Sequence, residues 1–463
     1  MPVEGRGPAS GTLREEGEER RLALRLQTPE KIRTLQNKLY LKAKGEPDYR
    51  FYLLYDKVWR ADILLHAYLL CRANGGAPGV DGVRFDDIEA AGRDEWLAAL
   101  AADLREEKYR PEAVRRKVIP KPDGGERVLG IPTVRDRVAQ QAAKLVLEPI
   151  FEADFEPNAY GYRPKRKALD AVREVHQAIQ HGEVHVVDAD LSKYFDTIPH
   201  RELMQSVVRR VSDGKMLRLI KMWLKAPIEE TDDRGRKHRR GAGNSGVGTP
   251  QGGVISPLLA NIYIHRLLKT WKKFGLERHL GARIINYADD LVILCRSRFG
   301  AESAMKALRW IVERLGLRLN DQKTHLRDAR EESFDFLGYT FGPMVSRRTG
   351  RSYLGATPSK KRVKRFKQKL REVLKPGNQG RIPDVVAAVN RRLVGWKNYF
   401  CVGTLAEVYR SLDEYACMLL RKFLVRRHKV PGRGTRRFGN QWLRSSLGLA
   451  QLYQRRQVAP SNA

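Results

Sequence analysis

The sequence is poor in cysteine, with four in 463 residues: Cys71, Cys295, Cys401 and Cys417. None belongs to a Cys-x-x-Cys pair. That speaks against structural zinc and against a disulfide framework, and it points to a reducing, intracellular compartment. There is no run of about 18 apolar residues, so nothing reads as a membrane-spanning helix. The N-terminus, with Arg14-Glu-Glu-Gly-Glu-Glu-Arg-Arg21, lacks the apolar core of a secretory signal. Acids are in short supply, 54 Asp plus Glu against 88 Lys plus Arg, for a formal net charge of +34. So large an imbalance calls for a polyanionic partner, nucleic acid above all. Hydrophobic residues make up 42%, enough for real cores in a chain of about three domains.

The most informative stretch is Arg283-Ile-Ile-Asn-Tyr-Ala-Asp-Asp-Leu-Val-Ile-Leu-Cys295. Apolar, partly β-branched runs at Ile284-Ile285 and Leu291 to Leu294 flank Tyr287-Ala-Asp-Asp290. The pattern predicts two short buried strands joined by a tight turn. Two adjacent carboxylates at such a tip repel each other, and apolar walls remove the screening water. A hard divalent cation would relieve that. Turn chemistry alone also permits a plain surface Asp-Asp turn. A second acid, Asp190, ends the apolar run Val184-His-Val-Val-Asp-Ala-Asp190, where a strand end can feed a site.

The remaining chain supplies basic and glycine-rich surroundings. Residues 1 to 45 read as a mixed-charge mobile segment with a helical signal near Pro29 to Leu41. Helical periodicity runs through 49–73, Arg93 to Glu107, Pro132 to Ile150, Lys167 to Gln180 and Ala301 to Leu315. Val114 to Ile131 reads as a hairpin turning at Asp123-Gly-Gly125, with Lys121 and Arg127 on its two arms. Such a pair suits a triphosphate, although an exposed basic hairpin has the same pattern. The basic, aromatic loop Asn158 to Arg166 suits base stacking and phosphate contact, with Arg163 as an RNA ligand. Gly248-Thr-Pro-Gln-Gly-Gly-Val-Ile-Ser-Pro257 opens a helix, and its glycines let a ligand approach Gln251. Leu317 to Thr324 reads as a strand and turn carrying Lys323, and Phe334 to Phe341 as one aromatic strand.

At Ser359 the composition shifts. Lys360, Lys361, Arg362, Lys364 and Arg365 crowd one helix, and two more helices follow at about Pro383 to Phe400 and Leu405 to Arg426. Gly241-Ala-Gly-Asn-Ser-Gly246 spells a dinucleotide fingerprint, but a basic run precedes it and Pro250 interrupts the required helix. His181-Gly-Glu-Val-His185 is not in the zinc-protease order.

In this order the motifs resemble the reverse transcriptase–maturases encoded by bacterial group II introns. The likeness rests on Gly79-Val-Asp-Gly82, Tyr160-Gly-Tyr-Arg-Pro164, Asp190 with Phe195-Asp196, Thr249 to Pro257, Tyr287-Ala-Asp-Asp290, Asn320-x-x-Lys-Thr324, Phe336-Leu-Gly338 and Asn390 to Phe400. The resemblance implies an α+β right-hand polymerase, with fingers and palm over 46–358 and an N-terminal extension to about 110. It implies a helical thumb over 359–430 and a basic nucleic-acid-binding segment over 431–463. Asp190, Asp289 and Asp290 would be catalytic. Asp190, the Leu191 carbonyl and Asp289 would hold two Mg²⁺ ions. Lys121, Arg127, Phe195, Gln251 and Lys323 would bind the nucleotide, with Phe195 excluding a 2′-hydroxyl. Implied partners are intron RNA, an RNA template with a DNA primer, dNTPs and target DNA, in the bacterial cytoplasm or at the nucleoid. No membrane and no particular oligomer is implied. The paired-cysteine endonuclease domain of many members is not expected. Two other readings stay open: a domesticated enzyme of defence or repair, and a splicing-only RNA-binding factor.

Overall fold

The computed structural model describes residues 26–120, 126–231, 236–240, 246–346 and 349–454. Lys121, the Asp123-Gly-Gly125 turn, most of the Gly241 to Gly246 stretch, residues 1–25 and residues 455–463 lie outside them.

Four strands build the central sheet: β3 (His185–Asp190), β6 (Ala282–Tyr287), β7 (Asp290–Cys295) and β8 (His325–Asp328). Their order is β6-β7-β3-β8, and each neighbouring pair is antiparallel. From Leu291 onward β7 is apolar and buried, because both its faces are covered. Leu291, Ile293 and Cys295 join one core, with Ala304, Leu308 and Ile311 of the helix Arg298–Arg314. Val292 and Leu294 join a second core with Val172 and Val175 of the helix Ala168–Gln180. Strand side chains alternate, so Asp188, Asp190 and Asp290 share the face of Val186, Val292 and Leu294.

A second sheet holds β1 (Val114–Pro120), β2 (Glu126–Ile131), β4 (Ile228–Thr231) and β5 (Lys237–Arg240), in the order β2-β1-β4-β5. The predicted Val114 to Ile131 hairpin is present, and β4 joins β1 in parallel. The helix Val134–Glu152 follows β2 and packs against the helix Ala61–Asn74, burying Val138, Ala142, Val146 and Ile150.

The helical signal near Pro29 to Leu41 is realised, but the helix is packed into the core and not part of a mobile segment. Glu30–Gly45 is a helix whose Ile32, Leu39 and Ala43 are buried against the Val134–Glu152 helix. Its apolar residues recur at helical spacing and find a ready partner face, which outweighs its polar composition.

Phe334 to Phe341 is not one strand. β9 (Phe334–Phe336) turns at Leu337 and Gly338, both with positive φ, into β10 (Tyr339–Val345), which pairs with β11 (Ser352–Pro358). Three helices follow: Lys360–Val373, Ile382–Tyr399 and Ala406–Arg427. Ser359 caps the first by accepting from the Arg362 N–H, a contribution of about 1 kcal/mol. Phe366 stacks on Trp396 at 5.2 Å, and Leu370, Val389, Leu393, Leu412 and Leu420 fill the space between the helices.

Through residue 454 the tail is folded onto this bundle rather than free. Phe438, Leu443, Leu449 and Leu452 are buried in its core. Asp413 accepts from the Leu452 and Tyr453 N–H groups at 2.8 and 2.9 Å.

Candidate active site

The register of β3 and β7 sets Asp190 directly against Asp290. Residues so paired have Cα atoms roughly 4.5–5.5 Å apart. Tyr287 pairs with Asp290 to close the β6–β7 hairpin, and Ala288 and Asp289 form its tip. Ala288 has a φ of 58°, the left-handed conformation that two-residue hairpin loops favour. For a residue with a Cβ this costs about 1 kcal/mol. The Leu191 N–H donates to the Asp289 carbonyl at 3.2 Å, which ties the chain leaving Asp190 to the hairpin tip. Asp190 and the Asp289-Asp290 pair, distant in sequence, thus meet at one end of one sheet.

Their charges interact. Burial pushes the Asp290 carboxyl up to about 7, and Asp289, Asp190 and Asp188 add to the effect. Asp188 is raised to about 6, again mainly by burial, with Arg327 opposing. Asp190 also has nearby donors. Asn320 Nδ2 donates to Asp190 Oδ2 at 3.2 Å, and Lys323 Nζ lies 3.4 Å from the same oxygen. The Asn320 N–H donates to the Asp190 carbonyl at 2.8 Å, so the Lys323 turn is fixed to the end of β3.

Among the described residues, no three His, Cys, Asp or Glu side chains converge as a preformed metal cage. The donor set still suits a hard divalent cation. Carboxylate oxygens from two strands share one sheet end, and their mutual repulsion is what a cation would relieve.

A neighbouring loop clamps the hairpin. The Asn286 N–H donates to the Asn158 carbonyl and the Tyr160 N–H to the Asn286 carbonyl, both at 2.9 Å. Asn261 Nδ2 holds the Gly161 carbonyl at 2.7 Å. A Cβ at position 161 would lie 2.4 Å from the Ala288 nitrogen, so only glycine permits this approach. In the same loop Arg163 faces inward, contrary to its expected contact with RNA. It is buried, and its guanidinium donates to Glu152 at 2.7 Å and to the carbonyls of Glu156 and Ala159. A part-buried carboxylate and loop carbonyls satisfy it where water cannot, so its role is to hold the loop.

The residues expected around a nucleotide lie along one path. The Thr249 N–H donates to the Phe195 carbonyl at 2.7 Å, and the Gly130 N–H of β2 to the Gln251 carbonyl at 2.7 Å. Gly252, at φ 123°, lies so close to Gly130 that a Cβ would come within 2.5 Å of its carbonyl oxygen. Main-chain bonds therefore link β2, the Gln251 loop and the Phe195 turn just after Asp190. The half-buried Phe195 ring meets Tyr194 and Tyr162 edge-on at 5.7 and 6.1 Å. Arg127 stands in β2 opposite Ile119.

Lys360, Lys361, Arg362, Lys364 and Arg365 are exposed on the first C-terminal helix. Arg362, Arg365, Lys369, Trp396 and Tyr399 line a cavity of about 410 Å³. Tyr399 of this wall and Tyr287 of the acidic hairpin pack against the same core.

The sequence reading missed Asp188, Asn286 and Asn320. Asp188 has a simple signal, two residues before Asp190 and hence on the same strand face. Asn286 Nδ2 donates to the Ala288 carbonyl at 2.8 Å, and its position inside an apolar run is the clue to a structural amide.

Comparison with known proteins agrees with this geometry. Residues 119–341 match the reverse transcriptase (RNA-dependent DNA polymerase) family, and residues 363–442 match the group II intron, maturase-specific domain. Protein YkfC of Escherichia coli is 34% identical over 348 residues, covering 66% of this chain and 87% of that protein. The group II intron-encoded protein LtrA of Lactococcus lactis subsp. cremoris is 35% identical over 220 residues, covering 47% of this chain and 35% of LtrA. Telomerase from Candida albicans, solved with a fragment of telomeric RNA, aligns over 85% of this chain and 75% of that one. Its TM-score is 0.41 with 12% identity, and nothing further follows at that level. No helix among the described residues is long and apolar enough to cross a membrane. The chain belongs to the group II intron-encoded reverse transcriptase and maturase family.

Proposed function

We propose that this chain extends a DNA primer on an RNA template with dNTPs, at the carboxylates of β3 and β7, and that it also binds its intron RNA to assist splicing and insertion into target DNA. The observation that carries the reading is the register partnership of Asp190 and Asp290, with Asp289 at the adjoining tip. Asp190, Asp289 and the Leu191 carbonyl would hold two Mg²⁺ ions, whose chemistry is to acidify a primer 3′-hydroxyl and neutralise a triphosphate in an in-line displacement. Asp290 stays beside them and adds negative charge. Asn320 and Lys323 contact the Asp190 carboxylate and would orient it, and Lys323 would also meet a leaving pyrophosphate. Phe195 supplies a wall against a ribose 2′-hydroxyl, and Gln251 lines the pocket. Arg127 and Lys121 would grip the triphosphate from the fingers hairpin.

The exposed cations on the Lys360–Val373 helix face the phosphates of a bound duplex or intron helix. RNA recognition of this kind rests on shape, phosphate and 2′-hydroxyl contact. A splicing-only factor would have no use for a complete acidic set beside Phe195. The test is dNTP incorporation on a primed RNA template with Mg²⁺. Wild type should extend the primer, whereas the variant carrying both Asp289→Ala and Asp290→Ala should not. Equal incorporation by the two would overturn the proposal.

A further inference from the structure

The sheet face opposite the carboxylates is covered by the helix Arg298–Arg314, and on the outer side of that helix lies a basic groove that the polymerase reading leaves unused. Two adjoining cavities of about 460 and 510 Å³ meet there, sharing Arg209, Arg266 and Lys269 in their walls. The first is also lined by Lys273 and Arg314 and by no carboxylate. Arg266, Lys269 and Lys273 recur at three- and four-residue spacing on the helix Ser256–Lys273, so they form one stripe. Among the described residues, no carboxylate pairs with Arg209, Lys269, Lys273 or Arg314. Of the three acids that line the second cavity, Asp154 is bonded to buried Arg210 and Glu156 to Lys272, and Asp48 alone carries no ion pair among the described residues.

An aromatic platform stands beside this stripe. Trp310 and Phe274 are 43% and 49% exposed, unusual for large rings on a charged surface. They meet edge-on at 5.7 Å, and the Arg314 guanidinium lies 4.4 Å from the Trp310 ring. Unpaired cations that follow a groove, with an exposed ring and a guanidinium at one end, are what a single-stranded nucleic acid requires. The cations take the phosphates and the ring takes a base.

We propose that this groove is a second RNA site, one that binds a single-stranded or looped RNA segment while the polymerase cleft is occupied. The proposal rests on RNA being a partner of the chain, but not on the polymerase chemistry.

The experiment uses the full chain with its cleft saturated by an unlabelled RNA–DNA primer–template. A fluorescein-labelled single-stranded RNA oligonucleotide is then titrated and read by anisotropy. Lys269→Glu with Lys273→Glu should weaken the labelled RNA at least about tenfold and flatten its salt dependence. Trp310→Ala should weaken it about fivefold or more at unchanged salt slope. Primer extension by these variants should stay within about twofold of wild type, because none of the three residues belongs to the polymerase site.

Photocrosslinking of 5-bromouridine RNA to wild type gives a readout that needs no variant, and the crosslinked peptide should contain Trp310. Unchanged affinity in both variants, or crosslinks confined to other peptides, would overturn the proposal. Loss of a chain dimer by light scattering, with RNA affinity intact, would also overturn it and assign the face to a second copy.

Discussion

Asp190 faces Asp290 across the β3–β7 ladder, and the residue after Asp190 bonds to the carbonyl of Asp289. Backbone pairing therefore sets the spacing of the three acids, so loop motion cannot easily spread them. Like charges held in this way carry a cost that a cation can remove, and the pH behaviour of the metal-free protein should reveal that cost.

The Asp290 carboxyl titrates at about 7 in the folded chain, above the ordinary carboxylate range. Between those values the native state holds a proton that the unfolded chain has lost. Stability should therefore fall as pH rises through that window and level off above it. In chelator-treated protein, Asp290→Asn should match wild type near pH ~4 and exceed it by on the order of 1–3 kcal/mol above pH ~7. Urea unfolding across pH measures this. A constant difference at every pH would mean that Asp290 is not under the strain described.

Gly161 tests the clamp on the hairpin. An added Cβ would lie 2.4 Å from the Ala288 nitrogen, so either the turn or the loop must move. Gly161→Ala should cost about 1–3 kcal/mol of stability. A shift of the acids by a fraction of an ångström should lower kcat at least about tenfold, with the KM for dNTP changed much less. Steady-state primer extension separates the two. An increase confined to KM would show that the loop serves nucleotide binding instead.

Phe195 is held by Tyr194 and Tyr162, so its ring cannot easily yield to an extra hydroxyl. Phe195→Ala should raise use of rNTP relative to dNTP by at least about tenfold, the scale of a steric pocket contact. The ratio of kcat/KM values is the measurement. An unchanged ratio would assign the sugar discrimination to another residue.

Exposed and buried arginines from the basic set should behave in opposite ways. Exposed Arg362 and Arg365 line the cavity beside Tyr399, and replacing both by Gln should reduce RNA affinity and shallow its salt slope by about two phosphate contacts. Arg163→Ala removes the buried guanidinium that holds part-buried Glu152 and two loop carbonyls, and should cost about 1–3 kcal/mol of stability. Its salt slope should match wild type. Filter binding at several salt concentrations, with a thermal melt of each variant, distinguishes the two.

These cases show what local sequence could reveal. The β6–β7 hairpin was legible because apolar runs flank a two-residue turn. The helices at Ala168–Gln180 and Arg298–Arg314 were legible from a strong helical period. Asp190 was legible as an acid closing an apolar strand. Long-range consequences were not. The parallel pairing of β1 with β4 depends on residues more than a hundred apart, and β4 is only four residues long. Arg163 looks like a phosphate ligand until Glu152 arrives beside it from the preceding helix. The break in the aromatic stretch was signalled by Gly338, whose positive φ turns β9 into β10. The N-terminal helix and the residues up to 454 gain order from surfaces that other segments provide.

The most direct measurement replaces Mg²⁺ with Fe²⁺ and maps peptide cleavage by the hydroxyl radicals it generates. Cuts are expected close to Asp190 and within Tyr287 to Asp290, suppressed by excess Mg²⁺ and abolished when Asp190→Asn is combined with Asp289→Asn. Cuts at other positions, or cuts that survive that double substitution, would contradict a divalent cation held between β3 and β7.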